Sequence, residues 1–407
     1  MKKIVITGMG AVTPVGIGVD EYWKNITSGK SGIDTIRSFD PSELAVQIAG
    51  EVKGFNPADY LEKDLIRKTD PFMQYAYIAA EEALRQSGVE IVPERTGIIM
   101  GTAMAGVATT AFTQDALSGA SHKKVGPRFI PKILGNIAAS NIAIDYNIQG
   151  PSFTVSTACS SGGDAVNIAC MYMKAGKADV MLAVGAESVL CPLVIYSLAN
   201  AKALSRRNDD PSTASRPFDL TRDGFVIGEG GGALVLETEE HALARGAKIL
   251  GVVEGCGNTC DAHHVTAPHP EGRGAIACMK QALADAELEP SDIGYINAHG
   301  TATHKGDSVE VNSIKTIFAD TLPYVSSTKG ATGHMMGAGG ITEVITCVKA
   351  IETGTLPPTI NHNEPDPECA GIDFVPNTAQ QAEISHAMSN AFGFGGQNSS
   401  IIVGRYN

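Results

Sequence analysis

No run of apolar residues in this 407-residue chain approaches the about 18 needed for a membrane-crossing helix. After Met1-Lys2-Lys3 only Ile4 to Thr7 precede Gly8, too short a stretch for the apolar core of a secretion signal, so the expected place is the cytoplasm or another reducing compartment. Basic charge is scarce as well: 31 Lys and Arg stand against 44 Asp and Glu, a formal net charge of −13. That balance disfavours nucleic acid and anionic membrane as partners, and an acidic partner would need a local basic patch. No low-complexity linker divides the chain. Eight cysteines (159, 170, 191, 256, 260, 278, 347 and 369) in a long sequence without a secretion signal are expected as free thiols. A dinucleotide site is also short of a residue. Lys3 to Thr7 reads as a strand running into Gly8-Met9-Gly10, but Thr13 stands where the fingerprint wants glycine and Pro14 interrupts the loop.

What is present can bury a large interior, since 43% of residues are apolar. Pro151 to Gly163 reads as a short buried strand, 152 to 156, breaking sharply into a helix that begins at about Cys159. A thiol at a helix N-terminus sits among free N–H groups at the positive end of the dipole, so the thiolate is favoured and an oxyanion would find donors. From this segment alone Cys159 is either such a nucleophile or a buried structural cysteine. With helix 160 to 174, closed by Gly176, and strand 179 to 185, it forms a βαβ unit. Helical periodicity over Phe72 to Gln86 stops at Gly88 and is followed by a strand at Thr96 to Gly101. A turn at Gly228 to Gly232 is expected to feed a strand over Ala233 to Glu237.

The second half repeats this plan. Ala83-Leu84 precedes Gly101-Thr102-Ala103 by the interval that separates Ala282-Leu283 from Gly300-Thr301-Ala302, and Gly393 to Gly396 before the strand Ser400 to Val403 echo the earlier glycine turn. The repeat predicts a duplicated α/β core of mixed sheets between helix layers, divided near Arg245 to Gly251. Ile293 to Asn297 reads as a strand ending at His299, where α/β sheets place active residues, followed by a helix that Asp307 and Glu310 open as a capping box. Lys329 and His334 fall in a loop whose glycines predict loose packing. Phe392 and Phe394 stand among glycines, as a backbone closely approached by a ligand requires. Singly, each of these residues is also compatible with a solvated loop or plain core.

Together, Thr157 to Gly162, Asn297 to Thr301, Lys329 to His334 and Asn390 to Asn398 resemble the β-ketoacyl-[acyl-carrier-protein] synthases, most of all synthase II, and the resemblance runs over nearly the whole chain. It implies a thiolase-like fold in a layered αβαβα arrangement, with residues 1–248 carrying the nucleophile and 249–407 the histidines. It implies decarboxylative condensation of an acyl group with malonyl carrier protein, in fatty acid elongation or in a polyketide or other secondary-metabolite pathway. Cys159 would accept the acyl group, its N–H and that of Phe394 would form the oxyanion hole, and His299 and His334 would donate to the malonyl thioester oxygen. Lys329 would support them, through an ion pair with Glu343. Thr301 and Thr303 match residues that hold the phosphopantetheine arm, Phe225 and Phe392 match substrate-binding positions, and Met104 matches a residue narrowing the acyl tunnel. Arg67, Lys68, Lys123, Lys124 and Arg128 match the carrier-docking region.

The same resemblance implies no cofactor bound by the enzyme itself, since substrates ride on the carrier's phosphopantetheine, and it implies a homodimer whose edge is the strand at 152 to 156. Asn297, Glu343, Ser389 and Asn390 match positions that hold a monovalent cation in some relatives. Cys256, Cys260, His263 and His264 have the residue types of a zinc site, but Asp261 to Thr266 match a family loop in which cysteines are not required. A thiolase would carry a second catalytic cysteine late in the chain, where Phe and Gly stand. A partner subunit without activity would lack Cys159. Two histidines and a lysine on separate strand ends suit an enolate better than a hydrolase triad.

Overall fold

The computed structural model describes residues 2–119, 125–319 and 321–406. Each half contributes five principal strands to the large sheet: β1 (Ile4–Thr13), β2 (Thr96–Gly101), β3 (Ser152–Val155), β4 (Val180–Glu187) and β5 (Gly230–Thr238), then β6 (Gly251–Cys260), β7 (Ile293–Asn297), β8 (Tyr324–Ser326), β9 (His386–Phe392) and β10 (Gln397–Gly404). Their hydrogen-bonded order is β3-β2-β4-β5-β1 in the first half and β8-β7-β9-β10-β6 in the second, one plan used twice. The halves join through the antiparallel pairs Ile4↔Val253, Val5↔Val252 and Ile6↔Gly251. Within each half the sheet is mixed. β2 is parallel to β3 and β4, and β7 to β8 and β9, while the remaining pairs are antiparallel.

Five helices matter for the site: α1 (Pro71–Ser87), α2 (Ser161–Lys174), α3 (Arg273–Ala286), α4 (His304–Phe318) and α5 (Gly339–Thr353). α1 packs on β1, β4 and β5, and α3 on β6 and β10, so each covers the outside of one half. α2 and α5 touch each other and strands of both halves. They are the middle layer of an αβαβα sandwich, the thiolase-like architecture. α1 shows why the boundaries fall where they do. The Asp70 carboxylate accepts from Phe72 N–H at 3.0 Å, Pro71 opens the first turn, and Gly88 closes the helix at φ 57°.

Four expectations about local structure are corrected. β3 is half exposed instead of buried, because it is the free edge of the sheet. Gly230 to Gly232 belong to β5 and not to a turn. A Cβ on Gly231 would lie 2.9 Å from the Tyr75 carbonyl of α1, and one on Gly232 would lie 2.8 Å from Ile341 of α5, so two helices press on the sheet where it lacks side chains. The helix after β7 starts at His304 without a capping box, since Asp307 and Glu310 are buried and turned to other backbone groups. Residues 329–334 are not loosely packed. Lys329–Thr332 form a short helix, and every residue from Lys329 to His334 is buried.

Candidate active site

The nucleophile candidate stands where β3 hands over to α2. Ala158–Ser160 form a single 3-10 turn and α2 proper begins at Ser161, so Cys159 precedes the helix instead of opening it. Ala158 has φ 51°, a left-handed conformation that alanine adopts only when its surroundings hold it there. Three side-chain hydrogen bonds do part of that: Ser160 Oγ donates to the Thr157 carbonyl at 2.8 Å, Ser161 Oγ to the Ala158 carbonyl at 2.7 Å, and Thr157 N–H to Ser161 Oγ at 2.9 Å. Gly393 passes so close behind the turn that a Cβ there would lie 2.6 Å from the Thr157 carbonyl and 3.2 Å from the Cys159 nitrogen. That approach delivers the next residue, Phe394, whose N–H lowers the Cys159 thiol against the effect of burial.

His299 follows the end of β7. Its N–H and that of Gly300 both donate to the buried Glu310 carboxylate of α4 at 2.8 Å, and Ser327 Oγ donates to the Gly300 carbonyl at 2.6 Å. Burial pushes the Glu310 carboxyl up to about 7, and the same two N–H groups pull it back. Asp307 accepts from Phe218 N–H at 2.8 Å and lies 3.6 Å from the Arg222 guanidinium. His334 is pinned through its backbone, donating to the Val226 carbonyl at 2.7 Å and accepting from Gly228 N–H at 2.8 Å. The buried Lys329 ammonium pairs with the buried Glu343 carboxylate of α5.

These elements bring three reactive groups together. His334 Nε2 lies 3.0 Å from Cys159 Sγ, and one ligand atom each of Cys159, His299 and His334 falls within 4.8 Å of the others. The two imidazole rings meet edge to face at 5.3 Å, with Phe225 5.4 Å from His334 and Phe392 5.9 Å from His299. Burial first, then the Lys329 charge, hold both histidines well below the usual imidazole range, with His334 adding to the effect on His299. At neutral pH each ring is uncharged, with one N–H to donate. The expectation of a favoured thiolate is corrected. Burial pushes the Cys159 thiol from 9.0 up to about 11 against the pull of Phe394 N–H and Lys329. That rise disfavours the thiolate by about 3 kcal/mol, more than the about 0.3–1 kcal/mol a helix end supplies.

The other sequence candidates sort by position. Thr301 and Thr303 hydroxyls are 3.1 Å apart in the loop after His299. Met104 is partly exposed in a turn whose backbone is gathered by Glu187, which accepts from Ala103 N–H at 2.6 Å and Met104 N–H at 3.0 Å. Arg67 and Lys68 lie 3.4 and 3.7 Å from Asp64, and Arg67, Arg128 and Lys132 line one cleft of about 440 Å³. Lys123 and Lys124 lie outside the described residues. Asn297, Glu343, Ser389 and Asn390 are all buried, with Asn297 opposite Ser389 on paired strands. Asn297 Oδ1 has no hydrogen-bond partner among the described residues, while Asn390 Oδ1 accepts from Ser400 Oγ at 2.8 Å. His263 and His264 are exposed, and the Cys260 thiol lies 3.8 Å from the Gly395 carbonyl. Two buried carboxylates beside the turns of Met104 and Cys159 carry no motif in the sequence, Glu187 and Asp164. The signal for both was a lone acid inside a run of small and apolar residues.

Comparison with known proteins agrees along the whole chain. The model of the beta-ketoacyl synthase N-terminal domain matches residues 1–242, and that of the C-terminal domain matches residues 250–363. The 3-oxoacyl-[acyl-carrier-protein] synthase 2 of Coxiella burnetii is 43% identical over 409 residues, 99% of each chain. Among solved structures, the ishigamide ketosynthase/chain length factor superposes with a TM-score of 0.93 at 34% identity, covering 100% of both chains. A type II polyketide acyl-carrier protein in complex with its ketosynthase matches with a TM-score of 0.90 at 32% identity, again over 100% of both chains. Matching family models in sequence order, full-length relatives and a shared fold lead to one conclusion: the chain belongs to the β-ketoacyl synthase family.

Proposed function

We propose that this enzyme joins an acyl group to malonyl carrier protein with loss of carbon dioxide, giving the 3-oxoacyl carrier protein of fatty acid elongation. The observation that carries the mechanism is the convergence of one thiol and two neutral imidazoles in a buried site. As the Cys159 sulfur attacks the acyl thioester, its proton passes to the departing carrier thiolate, while the N–H on His334 Nε2, 3.0 Å away, supports the negative charge forming on sulfur. Both rings stay neutral for the second substrate. Malonyl thioester loses carbon dioxide, and the N–H groups of His299 and His334 hold the enolate oxygen while the positive Lys329 stays behind them. The enolate carbon attacks the acyl carbonyl, whose oxygen is received by the Cys159 and Phe394 N–H groups, and the Cys159 sulfur leaves as a thiolate that takes from solvent the one proton the overall reaction consumes. A fatty acid substrate is favoured over a polyketide one by the higher identity to a synthase 2, 43%, than to the type II polyketide ketosynthase, 32%.

Further assignments belong to the same proposal. The division is 1–248 for the nucleophile half and 249–407 for the histidine half. The solved complex of a ketosynthase with its acyl-carrier protein supports a carrier partner here, and the cleft shared by Arg67, Arg128 and Lys132 supplies the local cations an acidic carrier would need. Substrates would arrive on phosphopantetheine, passing Thr301 and Thr303, with no cofactor of the enzyme's own. Met104 would limit the acyl chain, between Phe225 and Phe392 at the thioester end and the tunnel beyond. Asn297, Glu343, Ser389 and Asn390 would hold a structural monovalent cation, for which the partnerless Asn297 oxygen is the support. A second copy would pair along the free edge of β3, flanked by the exposed Ile144 and Met171. Among the described residues no helix is long and apolar enough to cross a membrane, and we place the enzyme in the cytoplasm. Incubation with acyl and malonyl carrier proteins should release carbon dioxide and give a product two carbons longer. Acyl transfer with no such product would overturn the proposal.

A further inference from the structure

A turn that holds alanine at φ 51° next to a nucleophile needs bracing from outside itself. The brace is in the first turn of α2. Asp164 is buried, and its Oδ2 accepts from Thr157 Oγ1 at 2.5 Å and lies 3.3 Å from Ser160 Oγ, the residues on either side of Ala158-Cys159. Its Oδ1 accepts from Asn258 Nδ2 at 2.6 Å, and Asn258 is on β6, in the other half of the molecule. Thr157 Oγ1 and Asn258 Nδ2 both donate, and an ionised carboxylate only accepts, so the residue type matches the site. α5 has the same device. Glu343 stands near its N-terminus and turns back to Lys329 in the loop that precedes it.

We propose that Asp164 is a positioning residue for acyl transfer: its carboxylate clamps the turn around Cys159 to Asn258 of the opposite half, keeping the sulfur in line with His334 Nε2 and Phe394 N–H. The inference rests on Cys159 being the acyl acceptor. It predicts a coupling that no local support would show. Asn258→Asp sets two carboxylates at the 2.6 Å contact and should slip the turn, whereas Asp164→Asn with Asn258→Asp exchanges the partners and restores a donor facing an acceptor.

The experiment measures two half-reactions in the full-length protein: acyl-enzyme formation from acyl carrier protein alone, and carbon dioxide release from malonyl carrier protein alone. Asn258→Asp should slow acylation at least tenfold and decarboxylation less than twofold, and it should recover partly as the pH is lowered and the paired carboxylates share a proton. The double variant should return acylation to within threefold of wild type. Acylation unaffected in Asn258→Asp, equal loss of both half-reactions, or no recovery in the double variant would each overturn the proposal. Alkylation of Cys159 by iodoacetamide, followed by mass spectrometry, separates this from the functional proposal. If wild type forms no acyl enzyme, that proposal falls, while a slowing of alkylation in Asn258→Asp that is reversed in the double variant still upholds the clamp, and its absence overturns it.

Discussion

The two middle helices are entered from equivalent strands, yet their entry loops do different work. β3 reaches α2 through the short stretch 156–160, which presents a thiol that must form and break a covalent bond. β8 reaches α5 through the longer stretch 327–338, which buries an ammonium and an imidazole that only hold charge or a proton. Each loop is braced by a carboxylate at the start of the following helix. Asp164 does it with hydrogen bonds from neutral donors, and Glu343 with an ion pair to Lys329. A short loop can be fixed by hydroxyls and an amide. A longer loop gains room for a full charge, which is safe only while paired. One repeated architecture thus provides an attacking sulfur on one side and an electrostatic receptor on the other.

The contrast can be broken in order of expected effect. Cys159→Ala should reduce acyl transfer and condensation to background while circular dichroism and Tm stay near wild type, because little packing is lost. Residual condensation would move the nucleophile elsewhere. Glu343→Ala leaves Lys329 buried and unpaired, and urea unfolding should show a loss of about 3–5 kcal/mol. Asp164→Ala breaks hydrogen bonds to neutral groups and should cost less, about 1–3 kcal/mol. Equal costs would erase the distinction between the two braces.

The pH dependence of Cys159 sharpens the same comparison. Its thiol is held near 11, above the ordinary 9.0, so the thiolate is a small fraction at pH 7 and grows as pH rises. Iodoacetamide alkylation of the free enzyme should climb about tenfold per pH unit from 7 to 10. A plateau near pH 7 would mean that the helix end outweighs burial. The smallest effect is at the surface. Arg67→Glu with Arg128→Glu should raise KM for carrier-bound substrates several-fold and weaken its salt dependence, since surface charge is screened over about 10 Å at 0.1 M salt. Activity with small acyl thioesters should be unchanged, and equal loss with both substrate types would remove this cleft from docking.

Much of the architecture was legible because it depends on local signals. β2 and β7 begin and end where their apolar runs do, and α1 ends at Gly88 as its periodicity predicts. The repeat survives as well: Ala83-Leu84 and Ala282-Leu283 lie in the corresponding outer helices α1 and α3. What failed depended on partners distant in sequence. Asp307 and Glu310 have the spacing of a capping box, but Glu310 turns back to the His299 loop, a contact no i,i+3 rule contains. Glycine content in 329–334 says nothing about the burial that makes it rigid. Asp164 meets Asn258 94 positions away, and the desolvation that raises the Cys159 thiol comes from chain segments that composition cannot assemble. The site residues themselves were recognisable from their motifs, while their electrostatic state was not.

The division of labour between the halves is tested most directly through His299, which lies beside Cys159 without the 3.0 Å contact that His334 makes to it. His299→Ala should be acylated at Cys159 at close to the wild-type rate, while carbon dioxide release from malonyl carrier protein falls by about a hundredfold or more, as when an oxyanion donor is removed. Wild-type decarboxylation by His299→Ala would contradict the assignment of the second half to the enolate.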